Sequence, residues 1–374
     1  MEKSSRNRSV SFLELFYDLV YVVVVAAAAS TLAHDITWRS VGEFAVVFGL
    51  IWLAWTNSTI LHDLHGNEDL RTRTFIFAQM LLPVWLAVYV GDAGQDGGQG
   101  FALIYAGYFT LLTWLWFTVR RQDDGVFDVI TRRYLAVMVL IVATMIGSAW
   151  LPAAQRVLVW ALVIVVWMVS ALVISRTTMD TSAPGFFVGD SLVERFGLFT
   201  IIVLGEVVVG VVDGLRNVVR ELLTVATGLV ALTIGFGLWW NYFDLTRGRH
   251  PREQPTGISI WMFVHLPLTM SIAAAGAAMV VVVEHASEDR TPAGASWLFT
   301  AAVAVGLVSL AGVVRTLEAY ESLRVIYGPT LRVMVVAAVV ALFVGRHRGR
   351  CVGLRVESLA ANRGGCRDIG LTMS

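Results

Sequence analysis

The chain has 374 residues, of which 57% are hydrophobic and only 15% charged, and its formal net charge is +0. Soluble globular domains carry roughly 25% charged residues, so this composition excludes an ordinary soluble protein, and the balanced charge gives no indication of a nucleic-acid partner. The two cysteines, Cys351 and Cys366, lie near the C-terminus and predict neither a disulfide framework nor a thiolate metal site.

Eleven apolar runs of nearly membrane-crossing length follow one another along the chain. Because a membrane-spanning helix needs about 20 apolar residues, we predict an all-α fold, a polytopic transmembrane helix bundle of about 11–12 helices. The first run has acids near its start and leads into further spans, so it does not read as a cleavable signal peptide. The runs cover 12–33, 41–60, 74–91, 101–119, 134–151, 156–175, 191–212, 222–243, 258–283, 296–314 and 329–345.

The loop charges predict an orientation. With a cytoplasmic N-terminus, the cytoplasmic loops hold fifteen Lys and Arg residues and the opposite loops only five. Cytoplasmic loops of membrane proteins are enriched in these residues, so we predict that the N-terminus is cytoplasmic. The five on the opposite side are Arg39, Arg156, Arg216, Arg220 and Arg290.

Three pairs of segments indicate an internal duplication. "FLELFYDLVYVV" resembles "FTIIVLGEVVVG", "LIWLAWTN" resembles "GFGLWWNY", and "FAQMLLPVWLAV" resembles "FVHLPLTMSIAA", at offsets near 186 residues. We therefore predict two parallel six-helix repeats, a common design in membrane transport. The first repeat covers 1–180 and contains about six helices. The second covers 185–345 and contains about five.

The C-terminal end departs from this scheme. Residues 346–374 form a polar, Arg-rich tail where a twelfth helix would complete the second repeat. We expect the tail to replace that helix, and a shifted reading frame is one explanation.

Two acids stand at the start of the first run, Glu14 and Asp18. Four residues apart, they share one helix face. Glu14 is close enough to the boundary to reach headgroups or water, whereas Asp18 lies roughly 9 Å deeper than Phe12. An acid at that depth is costly, so we expect Asp18 to face the bundle interior, protonated or paired. A role in proton or cation handling and a structural hydrogen bond between the halves remain open alternatives.

The seventh run carries Glu206 near its middle and Arg195 eleven residues earlier. They are roughly 16 Å apart along a helix, too far to pair, so Arg195 needs an acid elsewhere, with Glu194, Asp190 and Asp18 as candidates. Glu206 is a second proton- or ion-handling candidate. We interpret Gly205 and Gly210 as positions of close helix packing.

Other polar residues are weaker candidates. His265 could shuttle protons or donate to Glu206, although a satisfied interhelical hydrogen bond is the commoner role, and Gln79 is its counterpart in the first repeat. Asn241 and Asp244 end "WWNYFD", which we interpret first as an interfacial aromatic belt with a polar cap and second as a substrate-contact site.

The segment 61–69 offers metal-ligand types in a predicted cytoplasmic loop. Its spacing is loose, so we favour a solvated acidic loop over a metal site. We predict no metal ion and no cofactor. The residues concerned are His62, Asp63, His65, Glu68 and Asp69.

Several motifs together carry a family resemblance. "SFLELFYDLVYVVVV", "ERFGLFTIIVLGEVVVGVV" and "GLWWNYFD" followed by "HLPL" resemble the bacterial low temperature requirement A (LtrA) family over about residues 10–320, and the resemblance ends after about Gly345. It implies a multi-pass protein of the bacterial cytoplasmic membrane, linked by name to growth in the cold, with no defined reaction or substrate.

The duplicated halves and buried acids favour a transporter or channel over an enzyme. We expect it to move an ion or small solute, with Asp18 and Glu206 facing one poorly solvated interior space as the acids that handle it. Their replacement by Asn or Gln should abolish pH-dependent flux and leave folding intact. A non-catalytic protein of stress or cold adaptation and a membrane-embedded lipid-modifying enzyme are the alternatives. The expected partners are the lipid bilayer and that ion or solute, and a homo-oligomer is left open.

Overall fold

The computed structural model describes residues 10–65, 70–95, 97–119, 126–179, 189–219, 221–288 and 291–364. Within these ranges the chain forms eleven α-helices, one short 3-10 helix and a single isolated antiparallel bridge between Pro251 and Leu317. The helices are α1 (Phe12–His34), α2 (Trp38–His65), α3 (Leu70–Tyr89), α4 (Gly98–Val119), α5 (Val126–Ser148), α6 (Ala153–Met179), α7 (Asp190–Arg216), α8 (Leu222–Thr246), α9 (Pro255–Glu284), α10 (Ala293–Thr316) and α11 (Arg324–Gly364).

Ten of these helices are long and apolar enough to cross a membrane, and a shorter apolar stretch, Arg73–Tyr89, lies in α3. Helices satisfy their own backbone hydrogen bonds, which a bilayer interior requires. The large hydrophobic side chains exposed on the outer faces, such as Leu158 and Leu162 on α6 and Val336 on α11, suit contact with lipid. The predicted all-α, polytopic helix bundle is confirmed.

The helix ends differ from the prediction at several places. α2 continues to His65 rather than ending at residue 60, and α11 continues to Gly364, so the helix extends into residues 346–364 of the region predicted as a polar tail. At the start of α1, Ser11 and Glu14 form a capping box: the Ser11 amide donates to Glu14 Oε2 at 2.9 Å and the Glu14 amide donates to Ser11 Oγ at 3.3 Å. These bonds satisfy two amide donors at the helix start.

Helix α9 lies at the centre of the bundle. It packs against α1, α2, α6, α7, α8 and α10, and α1 also packs against α7. Helices α1, α7 and α9 therefore form a three-helix group that joins the first half of the chain to the second. Most of the polar residues singled out in the sequence belong to this group or to α2 and α3 beside it.

Candidate functional site

Asp18 lies in a fully buried ion pair between α1 and α7. Arg195 Nη2 donates to Asp18 Oδ1 at 2.6 Å and Arg195 Nε donates to Oδ2 at 3.0 Å. This bidentate geometry is available to arginine and not to lysine. Trp55 of α2 adds a third donor, its indole Nε1 at 2.8 Å from Oδ1. Both charged side chains are only 1% exposed. Of the three candidate partners for Arg195, the structure selects Asp18.

The surroundings of Arg195 are aromatic as well as charged. Its guanidinium carbon lies 5.6 Å from the centre of the Tyr17 ring, a distance at which a cation–π attraction operates. Its Nη1 atom has no hydrogen-bond partner among the described residues. Removing one partner of such a buried pair leaves an uncompensated charge, so Asp18→Asn is expected to destabilise the fold, contrary to the expectation from sequence.

A group of hydroxyls lies beside the ion pair in the first half of the chain. The hydroxyl of Tyr17 lies 2.6 Å from that of Tyr108 and 3.0 Å from that of Tyr21, and Tyr108 donates to the Ala54 carbonyl at 3.1 Å. These buried polar atoms satisfy one another, as buried hydroxyls must. The i, i+4 spacing of Tyr17 and Tyr21 is the only signal of this group in the sequence. Nothing in the sequence marks Tyr108 as a neighbour of Tyr17 and Tyr21, or Trp55 as a neighbour of Asp18.

Gln79 of α3 is buried against α2. Its Oε1 lies 3.1 Å from His62 Nε2 and accepts from Ser58 Oγ at 3.3 Å, while its Nε2 has no partner in the described part of the chain. Asp63 accepts a hydrogen bond from Ser191 at the start of α7. The prediction of a solvated loop is therefore wrong for His62 and Asp63, because these contacts extend α2. Glu68 and Asp69 lie outside the described residues.

His265 of α9 is buried and has both ring nitrogens in contact. Nδ1 lies 2.8 Å from the Trp261 carbonyl and Nε2 lies 3.2 Å from the Tyr242 hydroxyl. Since a carbonyl only accepts, Nδ1 carries a proton and Nε2 accepts from Tyr242. Its ring also contacts Phe196, one residue from Arg195. His265 therefore lies near the level of the ion pair, with Glu206 ten residues beyond Phe196 on α7, and it makes the interhelical hydrogen bond that we considered commoner.

Part of the "WWNYFD" segment faces outward, whereas its Tyr242 is buried against His265. Trp239 and Trp240 are 39% and 58% exposed, Asp244 is exposed, and the Asn241 amide donates to the Gly237 carbonyl of its own helix at 2.7 Å. Exposed Trp rings near a helix end suit the membrane interface. This geometry supports the aromatic-belt interpretation.

Glu206 lies at the floor of a cavity of about 960 Å³ between the C-terminal ends of α1, α7 and α9. The cavity reaches the ends of these helices, because His34, Arg216 and His285 also line it. Glu206 is ten residues from the end of α7, so it lies about 15 Å below that end. The side chain is buried. No described residue donates a hydrogen bond to it or forms an ion pair with it. We call this space the vestibule.

Close backbone contact between α7 and α9 fixes the position of Glu206. A methyl group built on Gly210 would lie 2.3 Å from the Gly276 carbonyl oxygen, and one built on Gly276 would lie 2.6 Å from the Glu206 carbonyl oxygen. Only glycine permits this approach. The space around Gly205 is open, so the packing interpretation holds for Gly210 and is wrong for Gly205.

The ion pair and Glu206 occupy different depths of the bundle. Arg195 and Glu206 are about 16 Å apart along α7, and the buried side chains of Phe199 and Val203 lie between them. The expectation that Asp18 and Glu206 share one poorly solvated space is therefore wrong. Asp18 is neutralised by Arg195, and Glu206 has no cation partner among the residues that the structure describes.

Comparison with known proteins agrees with the motifs. The sequence profile described as bacterial low temperature requirement A protein (LtrA) matches residues 9–347. The chain belongs to the LtrA family. A relative named uncharacterized protein RA0937, from Rhizobium meliloti (strain 1021), is 24% identical over 297 residues, which cover 72% of this chain and 69% of the relative. This LtrA chain is a multi-pass membrane protein in which one buried acid is paired and another faces a cavity.

Proposed function

We propose that the protein transports an ion or small solute through the vestibule, with Glu206 as the acid that binds it or exchanges a proton with it. The observation that carries this proposal is a buried carboxylate at the floor of a cavity that reaches the helix ends, with no cation partner in the described ranges of the chain. An acid inside a membrane protein is costly, and such residues mark ion and proton pathways when they face a cavity.

The opposite side of Glu206 is closed in this structure. Phe199 and Val203 are buried between the floor and the ion pair, and Asp18 and Arg195 bind α1 to α7 below them. A carrier needs a site that is open to one side at a time. We therefore propose that the structure represents a state open at the end away from the N-terminus, and that transport requires α1 and α7 to separate near the ion pair.

Flux through purified protein in liposomes tests the proposal. The liposomes enclose a pH-sensitive dye and receive gradients of sodium, potassium, calcium, amino acids or amines in turn. We expect at least one solute to produce a proton or charge signal that Glu206→Gln abolishes. Glu221→Gln, at the exposed start of α8 outside the vestibule, is the matched control and should transport like the wild type.

Two results would contradict transport through the vestibule. If Glu206→Gln supports the same flux as the wild type, Glu206 has no part in it. If no solute moves although the protein is folded in the liposomes, a non-transport role in the membrane becomes the better account.

A further inference from the structure

The vestibule has small apolar walls. Helix α1 contributes Ala26, Ala29 and Ala33, and α9 contributes Ala277 and Val280. Short side chains on two facing helices leave the space between them open. A volume of about 960 Å³ is at the upper end of the range of small-molecule sites, which combine apolar walls with a few placed polar groups. The walls therefore suit the apolar body of an organic solute.

Three acids nearer the mouth of the vestibule have partners, and the first, Asp35, accepts hydrogen bonds from the Thr37 and Ser40 hydroxyls at 3.5 and 2.9 Å. Asp213 pairs with Arg216 at 3.4 Å, and Glu284 accepts a hydrogen bond from the Asn217 amide at 2.7 Å. Glu206 is only 4% exposed and has no such partner among the described residues. Asp35 and Glu284 are bound by neutral donors and Asp213 by a cation, so Glu206 is the vestibule acid that is both buried and without a donor in the described part of the chain. A cation bound in the vestibule would compensate its charge.

The immediate neighbours of Glu206 decide between two kinds of cation. An inorganic cation such as calcium is held by six to eight oxygen ligands. The vestibule residues beside Glu206 in the fold are Val209, Gly210, Gly276 and Ala277, which carry no side-chain oxygen. One carboxylate beneath an apolar wall matches a cation that brings its own apolar surface.

We infer that the vestibule binds an organic cation, with its positive centre at Glu206 and its apolar body against the alanine and valine walls of α1 and α9. This inference rests on the proposed function and names the substrate class of the same site. Burial of apolar surface contributes to binding in proportion to its area, and the unpaired carboxylate selects for positive charge.

Equilibrium dialysis of the purified full chain with radiolabelled tetraphenylphosphonium tests the inference. This probe has a permanent positive charge inside an apolar shell. Uncharged triphenylphosphine oxide is the matched control ligand, and empty micelles give the background. We expect saturable binding of the cation, weakened about tenfold or more by Glu206→Gln, because a contact with a buried charge contributes more than a neutral one. Glu221→Gln should bind like the wild type.

Wall variants keep the test valid if Glu206→Gln fails to fold. Ala33→Trp and, separately, Ser30→Phe reduce the open volume near the mouth without touching the acid, and both should weaken binding of the probe. The inference is overturned if folded Glu206→Gln binds the probe as tightly as the wild type, if neither wall variant weakens binding, or if the uncharged analogue binds equally well.

Binding and flux fail in distinguishable ways. Probe binding that depends on Glu206, without transport of any solute, would contradict the proposed function and leave the organic-cation site standing. Glu206-dependent flux of sodium, potassium or calcium in a protein that does not bind the probe would overturn the organic-cation inference and leave transport standing.

Discussion

Asp18 and Arg195 show how two charges can be stable inside this bundle. The pair is fully buried, and three donor atoms from Arg195 and Trp55 surround the carboxylate. Replacing such a pair by apolar side chains is often neutral, whereas removing one partner is costly because the other charge is left uncompensated. The pair links α1 of the first half to α7 of the second, so its energy bears directly on how the halves hold together.

Asp18→Asn is expected to lower the free energy of unfolding by about 3–5 kcal/mol, because Arg195 is left as a buried charge without a counterion. The introduced amide retains an oxygen that can accept from Trp55. The double variant Asp18→Asn with Arg195→Met removes the stranded charge and should be more stable than Asp18→Asn alone. Denaturation of the purified variants in detergent, followed by tryptophan fluorescence, measures both effects.

Arg39→Gln is the matched control for the stability measurements on Asp18→Asn and the double variant. Arg39 donates to Glu43 at 2.8 Å from the preceding helical turn, but its side chain is 72% exposed, and exposed pairs contribute little to stability. A loss for Asp18→Asn no larger than that of Arg39→Gln would contradict the structural role of the buried pair. A double variant that is less stable than Asp18→Asn would contradict the explanation that the single variant is destabilised by the buried charge of Arg195.

The candidate residues could be found in the sequence, but their partners could not. A charged residue in an apolar run is visible from the sequence alone, and this pattern singles out Asp18, Arg195 and Glu206. Which acid meets Arg195 depends on the neighbours of α7, and these are set by packing between distant segments. Asp213 lines the vestibule together with Glu206, and its position seven residues later places both acids on the same face of α7.

At the scale of elements, the contact of α7 with α9 determines the shape of the vestibule. Gly210 and Gly276 let the two backbones meet. Gly214 lies on the same face of α7 one turn later, and a methyl group built on it would lie 2.8 Å from the Val280 carbonyl oxygen. Close packing of small residues is a main source of helix association in membranes. The backbone of Glu206 itself takes part in this contact.

Gly210→Ala should therefore separate α7 from α9 and lower the thermal stability of the protein. Its new methyl group would meet the backbone oxygen of Gly276, which cannot turn away as a side chain can. Gly205→Ala on the same helix has open space and should be neutral or slightly stabilising, by up to about 1 kcal/mol, since alanine favours the helix. Size-exclusion chromatography after heating compares the two; equal stability would contradict the close contact.

The number of helices and the all-α class could be predicted directly from the apolar runs. The positions of the helix ends could not. A run of apolar residues predicts a span, but a helix continues past it wherever polar side chains find partners. α2 extends beyond the run that ends at residue 60 because His62 contacts Gln79 and Asp63 contacts Ser191. Such contacts lie between helices and leave no local pattern in the sequence.

At the scale of the whole molecule, the packing of the helices repeats. α1 packs against α2 and α3, α3 against α4, α2 against α4, and α4 against α5; α7 packs against α8 and α9, α9 against α10, α8 against α10, and α10 against α11. This correspondence supports the proposal of two parallel repeats. The equivalence is loose at the level of single residues, because Trp55 donates to Asp18 whereas its sequence counterpart Trp240 is exposed.

Orientation in the membrane decides which compartment the vestibule faces. The α3–α4 connection lies at the same end of the bundle as the vestibule, since Gln95 and His34 line one neighbouring cavity and His34 also lines the vestibule. Gln95 is exposed. The excess of Lys and Arg in the other set of loops favours a cytoplasmic N-terminus. We therefore propose that Gln95 and the mouth of the vestibule face the outside of the cell.

Cysteine labelling of intact cells tests this orientation. Cys351 and Cys366 are replaced by serine, and single cysteines are placed at Gln95 and at Asp124, a residue outside the described part of the chain. A membrane-impermeant maleimide should label Gln95→Cys on intact cells and Asp124→Cys only after the membrane is opened. The reverse pattern would place the vestibule on the cytoplasmic side, and Glu206 would then receive its solute from inside the cell.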